Sequence, residues 1–216
     1  LQLQDFPMVD RHAWTPPTAP NRAERARVPG AMGGSRLLDL PTMAGLRAEI
    51  LAFIAEPGPV AVEVGFDFAE TLLGNARDFP AIRWLGAEIR EARVEAARAA
   101  APPNCLPARI DARTLFASGL VDGRLARVDI LFPTPAVRGR HLLWTDHFVA
   151  DVARVLAPDG VLTVATDVPA LAELVTGLLA DWPEVPAPPR TTALSRRERA
   201  CLREALPVWR TSRTAP

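Results

Sequence analysis

Between Val128 and His141 the chain reads Val-Asp-Ile-Leu-Phe-Pro-Thr-Pro-Ala-Val-Arg-Gly-Arg-His, an apolar run that passes straight into a stiff loop carrying cations. Val128, Ile130, Leu131 and Phe132 suit a strand covered on both faces, and Pro133 ends it. Arg138, Arg140 and His141 then lie within reach of whatever binds at the strand's carboxyl end, which is where open α/β sheets take their ligands. Four acids fall in equivalent places: Glu63, Glu88, Asp111 and Asp167 each stand at or just past the end of an apolar run. A carboxylate at the end of the second strand can accept hydrogen bonds from both hydroxyls of a ribose, a chemical role for Glu88 if the ligand carries an adenosine. The alternative for this whole set is a rim of solvated loop residues joining strands to helices.

The elements that would bring these residues together follow from periodicity. Met43, Leu46, Ile50, Leu51, Phe53 and Ile54 recur at helical spacing and stop at Pro57-Gly58. Val60 to Val64 reads as a first strand, followed by a turn at Gly65 and a helix through Leu72, Leu73 and Ala76, the opening half of a nucleotide-binding unit. A second strand covers Ile82 to Ala87, a helix Arg90 to Ala101, and a third strand Cys105 to Ile110. Beyond the cationic loop, Asp146 to Leu156 is helical, Pro158-Asp159-Gly160 is a turn, and Val161 to Ala165 is a strand. Pro169 opens a helix that runs through Leu179, and Ser195 with Glu198 forms a capping box for a helix to Ala205. A last strand around Pro207 to Thr211 would add antiparallel at the sheet edge. Alternation with right-handed crossovers puts the acid-bearing strand ends on one rim of a mostly parallel, doubly wound α/β sheet.

Composition narrows the class. With 216 residues and 49% hydrophobic content the chain can bury one substantial core, expected over residues 41–216 behind an irregular, proline-rich extension over 1–40. No apolar run approaches the roughly 18 residues a membrane span requires, and the expected location is the cytoplasm. Cys105 and Cys201 sit in no metal-type spacing, so no metal site is expected. The net charge of zero conceals an asymmetry, because Pro188 to Pro216 holds seven arginines against Glu198 and Glu204, leaving the tail at +5 and the remainder at −5. Such a tail can meet phosphates or pack on the acidic body.

The ordered motifs resemble a Rossmann-like S-adenosylmethionine (SAM)-dependent methyltransferase, and more narrowly the tRNA (guanine-N7)-methyltransferase family. Glu63-Val64-Gly65-Phe66 resembles that family's Glu-Ile-Gly-Phe, and Gly86-Ala87-Glu88-Ile89 its Gly-Ile-Glu-Ile. Asp111-Ala112 matches an Asp-Ala pair, Phe132-Pro133-Thr134-Pro135 stands for Phe-Pro-Asp-Pro, and Ala165-Thr166-Asp167 repeats Ala-Thr-Asp. Arg138, Arg140 and His141 occupy the places of Lys-x-Arg-His, and Ser195 to Glu198 those of Thr-x-x-Glu. The resemblance implies SAM held by Glu63, Gly65, Phe66, Glu88, Ile89, Asp111, Ala112 and Phe132, with Thr134 and Asp167 at the reacting end. It further implies that Asp167, Ser195 and Glu198 orient a guanine and that Arg138, Arg140 and His141 meet the RNA.

Three departures bear on activity. Asp67 and Ala69 replace glycines of the family's Gly-Phe-Gly-x-Gly loop, so crowding of the pocket is expected, together with repulsion between Asp67 and the carboxylate of SAM. Thr134 replaces the aspartate of Phe-Pro-Asp-Pro and cannot act as a base near neutral pH. Leu142-Leu143-Trp144 replaces a basic run, which weakens phosphate attraction at that point and leaves tRNA as a less firmly held partner. The alternatives to a tRNA methyltransferase are an enzyme for a small nitrogen heterocycle and a non-catalytic binding module, as a monomer or homodimer.

Overall fold

The structure, a computed structural model, describes residues 40–134 and 143–216. Arg138, Arg140 and His141 lie outside the described residues, as does nearly all of the expected 1–40 extension. Helix α1 (Leu40–Ala55) precedes strand β1 (Val60–Val64), and α2 (Glu70–Asp78) joins β1 to β2 (Arg83–Glu88). Helix α3 (Glu91–Ala100) leads to β3 (Cys105–Arg109), and β4 (Leu125–Leu131) follows a pair of short helical turns. Helix α4 (Asp146–Val155), β5 (Leu156–Thr166), α5 (Pro169–Leu178), α6 (Arg196–Arg203) and β6 (Trp209–Thr214) complete the order. The sheet runs β3-β2-β1-β4-β5-β6, parallel except for β6, which pairs antiparallel with β5. The order reverses between β1 and β4, the switch point at which such sheets open a crevice.

The two faces of the sheet are chemically unlike. On one, Val60, Val62, Val64, Val128, Ile130, Leu162 and Val164 pack against Ile50 and Ile54 of α1, Val152 and Val155 of α4, and Leu171 and Val175 of α5. Each such side chain contributes roughly 1.5–3 kcal/mol on burial, so this layer carries most of the stability. On the other face, Ala61 and Trp84 meet Leu72, Leu73 and Ala76 of α2 and Val94 and Ala97 of α3. Glycine permits the close approach of α2, because a Cβ on Gly86 would come within 2.4 Å of Leu72 Cδ2 and 2.6 Å of Phe66 Cδ1. This second face also carries a polar row: register pairs Glu63 with Asp129, Asp129 with Thr163, and Thr163 with Ser212.

Several boundaries differ from the sequence reading. Strand β4 begins at Leu125 rather than Val128, and β5 begins at Leu156, so the expected turn at Pro158-Asp159-Gly160 is part of an irregular strand. Leu125 pairs with Leu156, the register then shifts, and Gly160 passes so near the Leu125 carbonyl that a Cβ there would approach it to 2.6 Å. Strand β6 runs Trp209–Thr214, later than the expected 207–211, because its pairing with Val161 to Thr166 fixes the span and Pro207 has no N–H to donate. A helical turn at Ala112–Thr114 running into a π-helical turn at Leu115–Gly119 was not anticipated. The Asp111 side chain caps it by accepting from Arg113 N at 2.9 Å, and Leu115 and Phe116 tuck into the core.

Candidate active site

The carboxyl ends of β1 to β5 form one rim, and a cavity of about 600 Å³ opens along it. That is the size of a cofactor or small-ligand site. Of the residues singled out from sequence, Glu63, Gly65, Phe66, Glu88, Ile89, Asp111, Ala112, Phe132, Thr134, Asp167 and Ser195 all line it. Glu198 is not among the lining residues. The rim also gathers arginines from three separate elements: Arg90 and Arg93 at the start of α3, Arg113 after β3, and Arg196 and Arg197 at the start of α6.

The turn after β1 keeps a glycine-loop conformation without all of its glycines. Gly65 has φ 70° and donates to the Ala87 carbonyl at 2.7 Å, while Asp67 and Ala69 hold φ 49° and 62°. Left-handed backbone at a residue with a Cβ costs of order 1–3 kcal/mol and is characteristic of functional sites. Phe132, at the end of β4, is a third such residue on this rim, with φ 51° and its N–H bonded to the Ala165 carbonyl at 2.7 Å. The Asp67 carboxylate has cationic partners, which offset the expected charge repulsion. Arg93 forms an ion pair with Asp67 Oδ1, Arg90 Nη1 lies 3.4 Å from the same oxygen, and Arg196 Nε lies 3.9 Å from Oδ2. Arg93 and Arg196 also stack on the Phe68 ring, at 4.5 and 4.9 Å from its centroid. Burial and the neighbouring Arg196 pull the Arg93 guanidinium below its ordinary value.

At the β2 end, Glu88 is buried and its Oε1 accepts from the backbone N–H groups of Ile89 and Arg90 at 2.9 and 3.0 Å. This fixes the carboxylate while Oε2 takes no part in those bonds, which suits hydroxyl donors on a ligand. Ile89 is half exposed on the rim beside it. Asp111 is clasped by Arg113 through Oδ1 at 3.0 Å and Oδ2 at 2.8 Å, and these bonds hold its carboxyl below the usual carboxylate range.

Glu63, which lines the cavity, and Asp129 beside it stand in register on β1 and β4, 3% and 0% exposed. Arg127 Nε donates to Asp129 Oδ1 at 2.8 Å, and its Nη1 donates to the Pro189 carbonyl at 2.6 Å while the guanidinium lies over Trp84. Glu63 Oε2 and Asp129 Oδ2 have no hydrogen-bond partner among the described residues. Burial, and after it the charge of Asp129, pushes the Glu63 carboxyl well above its ordinary value; burial also raises Asp129, against the attraction of Arg127.

The carboxyl-terminal segment reaches the rim by lying on α2. A Cβ on Gly74 would meet Thr191 Oγ1 at 2.6 Å, and Asn75 Oδ1 accepts from Thr191 N at 2.8 Å. Ser195 Oγ then caps α6 by accepting from Glu198 N at 3.1 Å. Glu198 itself is buried, its carboxylate bound by Arg190 at 2.7 and 3.0 Å and by Arg210 at 2.9 Å. Arg197 pairs with Asp167 and Arg199 with Glu70 at 2.8 Å, so these arginines of the basic tail meet acids of the body. Arg196 and Arg197 belong to the basic tail expected to meet phosphates, whereas Arg90, Arg93 and Arg113 escaped the sequence reading, yet a signal existed. Cations at the first turn of a helix oppose its dipole, so Arg93 and the Arg196-Arg197 pair ask for an anionic neighbour.

A family model described as "Putative methyltransferase" matches residues 57–204. The chain is 36% identical over 131 residues to a tRNA (guanine-N(7)-)-methyltransferase of Leifsonia xyli, covering 57% of this chain and 58% of that protein. A protein of the same name from Azorhizobium caulinodans is 34% identical over 143 residues, with 62% and 59% covered. In these two comparisons the chain spans a little under three-fifths of the relatives' length. One from Synechococcus sp. is 30% identical over 170 residues, with 70% of both chains covered. Among solved structures, the 16S rRNA methyltransferase KamB superposes with a TM-score of 0.57 at 15% identity, over 84% of this chain and 96% of that one. The 16S rRNA (adenine(1408)-N(1))-methyltransferase of Catenulisporales acidiphilia gives 0.55 at 20% identity, over 85% and 97%. At such identities these two establish the Rossmann-like methyltransferase fold alone. The family match across residues 57–204, with the identity to curated relatives, shows that the chain belongs to the methyltransferase family that includes the tRNA (guanine-N(7)-)-methyltransferases.

Proposed function

We propose that the chain is a SAM-dependent methyltransferase that methylates N7 of a guanine in tRNA. The observation that carries this reading is the rim cavity at the β1/β4 switch point, in which Glu88, Asp111, the left-handed Phe132, Thr134 and Asp167 converge. The donor set suits SAM: Glu88 has an oxygen for ribose hydroxyls, and the cavity is large enough for the whole cofactor. SAM supplies a methyl group activated by an adjacent sulfonium. What the chain contributes is placement. Glu88 and Ile89 hold the adenosine end, Gly65 and Phe66 shape the middle, and Phe132 to Thr134 wall the end facing the acceptor.

The acceptor chemistry fits a site without a strong base at Thr134. Guanine N7 carries a lone pair and no proton, so attack on the methyl moves the positive charge from sulfur to the base and releases no proton. In-line alignment therefore supplies most of the rate, and the threonine hydroxyl needs only to hydrogen-bond. Asp167, oriented by Arg197, faces the same cavity with a carboxylate that can take the guanine N–H edge. Ser195 serves α6 as its cap and contributes position rather than a free hydroxyl.

The test is transfer of labelled methyl from SAM to unmodified tRNA, with free guanosine as the comparison, followed by nucleoside analysis. Formation of 7-methylguanosine in tRNA is expected. Binding of SAM with methylation of guanosine but not tRNA would replace the acceptor, and failure to bind SAM at all would refute the reading.

A further inference from the structure

Asp67 occupies a position that the family fills with glycine, and it is surrounded by three guanidinium groups, those of Arg90, Arg93 and Arg196. One carboxylate against three cations leaves an excess of positive charge at this end of the cavity. The arrangement is also held in place. Arg93 and Arg196 both stack on the Phe68 ring, and Asp67 Oδ1 also pairs with Arg93. Among the described residues Asp67 Oδ2 keeps only the 3.9 Å approach of Arg196, beyond hydrogen-bond reach, and so can accept. Cationic donors and a spare carboxylate oxygen lie side by side in the lining of one cavity.

That is the complement of an α-amino acid zwitterion. We propose that Asp67, Arg93 and Arg196 form the subsite for the amino-acid end of the cofactor, the two arginines facing its carboxylate and Asp67 facing its ammonium. The inference rests on the SAM reading above and gives a role to Asp67, where this chain departs from the family's glycine, and to Arg93 and Arg196, which the resemblance leaves without one. It reverses the repulsion expected from Asp67 alone: its negative charge is outweighed by the arginines and serves the neighbouring positive group. It also accounts for two cationic helix starts, since α3 and α6 each bring an arginine to a place where an anion is favoured.

Three ligands separate the contributions. S-adenosylhomocysteine carries both charged groups, decarboxylated SAM carries the ammonium without the carboxylate, and 5′-methylthioadenosine carries neither. In calorimetric titrations of the full chain, Arg93→Gln and, separately, the exposed Arg196→Gln should weaken S-adenosylhomocysteine about tenfold to a hundredfold, the worth of a charge-assisted hydrogen bond. Both should leave 5′-methylthioadenosine within about twofold, a change too small to represent a lost ionic contact. Asp67→Asn should weaken S-adenosylhomocysteine and decarboxylated SAM and spare 5′-methylthioadenosine. Equal weakening of all three ligands, or of none, overturns the proposal, as does tighter S-adenosylhomocysteine binding by Asp67→Asn. If the unaltered chain binds none of the three, the cofactor reading itself falls, a result distinct from loss of discrimination among them.

Discussion

Arg127→Met is the substitution that most directly tests how the cavity floor is held. It keeps an apolar side chain of similar length but removes the guanidinium that lies over Trp84 and bonds Asp129 at 2.8 Å and the Pro189 carbonyl at 2.6 Å. Asp129 and Glu63, 0% and 3% exposed, then lose the cation that offsets their burial. Breaking a buried pair from one side costs about 3–5 kcal/mol. At about 2–4 °C per kcal/mol for a protein of this size, the unfolding midpoint should fall by roughly 6–20 °C. The loss should also depend on pH in a fixed direction. Both carboxyls are raised when folded, so the folded chain binds protons more tightly than the unfolded chain. Stability therefore declines as pH climbs from the ordinary carboxyl range through the raised folded values, and it levels off above them. Arg127 lowers both groups, so its removal raises them further and lengthens the decline. Urea unfolding at about pH 5 and about pH 8 should show the larger deficit at the higher pH. A deficit below about 1 kcal/mol, or one equal at the two pH values, would refute the reasoning.

Gly86→Ala should push Phe66 and Leu72 away from β2, costing about 1–3 kcal/mol by overpacking, and Leu72→Ala in the same chain should restore part of that loss in a urea titration. Ala69→Gly relieves a left-handed backbone while adding unfolded-state entropy, so its unfolding free energy should stay within about 1 kcal/mol of the parent; a larger loss would mean the Ala69 methyl itself matters. Ser195→Ala should cost about 1 kcal/mol by thermal unfolding through loss of the α6 cap, and Ser195→Asp should retain most of it. The Cys105 thiol, pushed up to about 12 mainly by burial, should react with a disulfide reagent near neutral pH only on unfolding; rapid reaction in the folded chain would contradict its packing.

The strands and their acid-tipped ends were legible because both signals are local. Val60 to Val64 and Cys105 onward are short apolar runs bounded by turn residues, and in a parallel sheet adjacency then puts Glu63, Glu88, Asp111 and Asp167 on one rim. The irregular start of β5 was not legible, since it depends on a register shift against β4 rather than on its own residues. Asp67 shows the limit most clearly. Its substitution for glycine suggested an eroded loop, but its partners Arg93 and Arg196 lie 26 and 129 positions away and become neighbours only through the fold. Glu198 differs in kind: its spacing announced a capping box, of which only the Ser195 half formed, because Arg190 and Arg210 claim the Glu198 carboxylate, a claim that could be seen only in three dimensions.

The polar row Glu63, Asp129, Thr163 and Ser212 has a consequence for how the chain finds its structure. Side chains alternate between the two faces of each strand, so sliding β4 by one residue against β1 would drive Asp129 and Arg127 into the aliphatic layer and bring Val128 and Ile130 to the mixed face. Parallel strands form late, from segments distant in the chain, and apolar runs such as these tolerate many misalignments. The buried charges penalise the misaligned forms while the aligned one lets Arg127 meet Asp129 and Thr163 meet Ser212. The row thus serves as an alignment key during assembly, admitting a single pairing of the central strands, and with that pairing the strand ends come level along one rim.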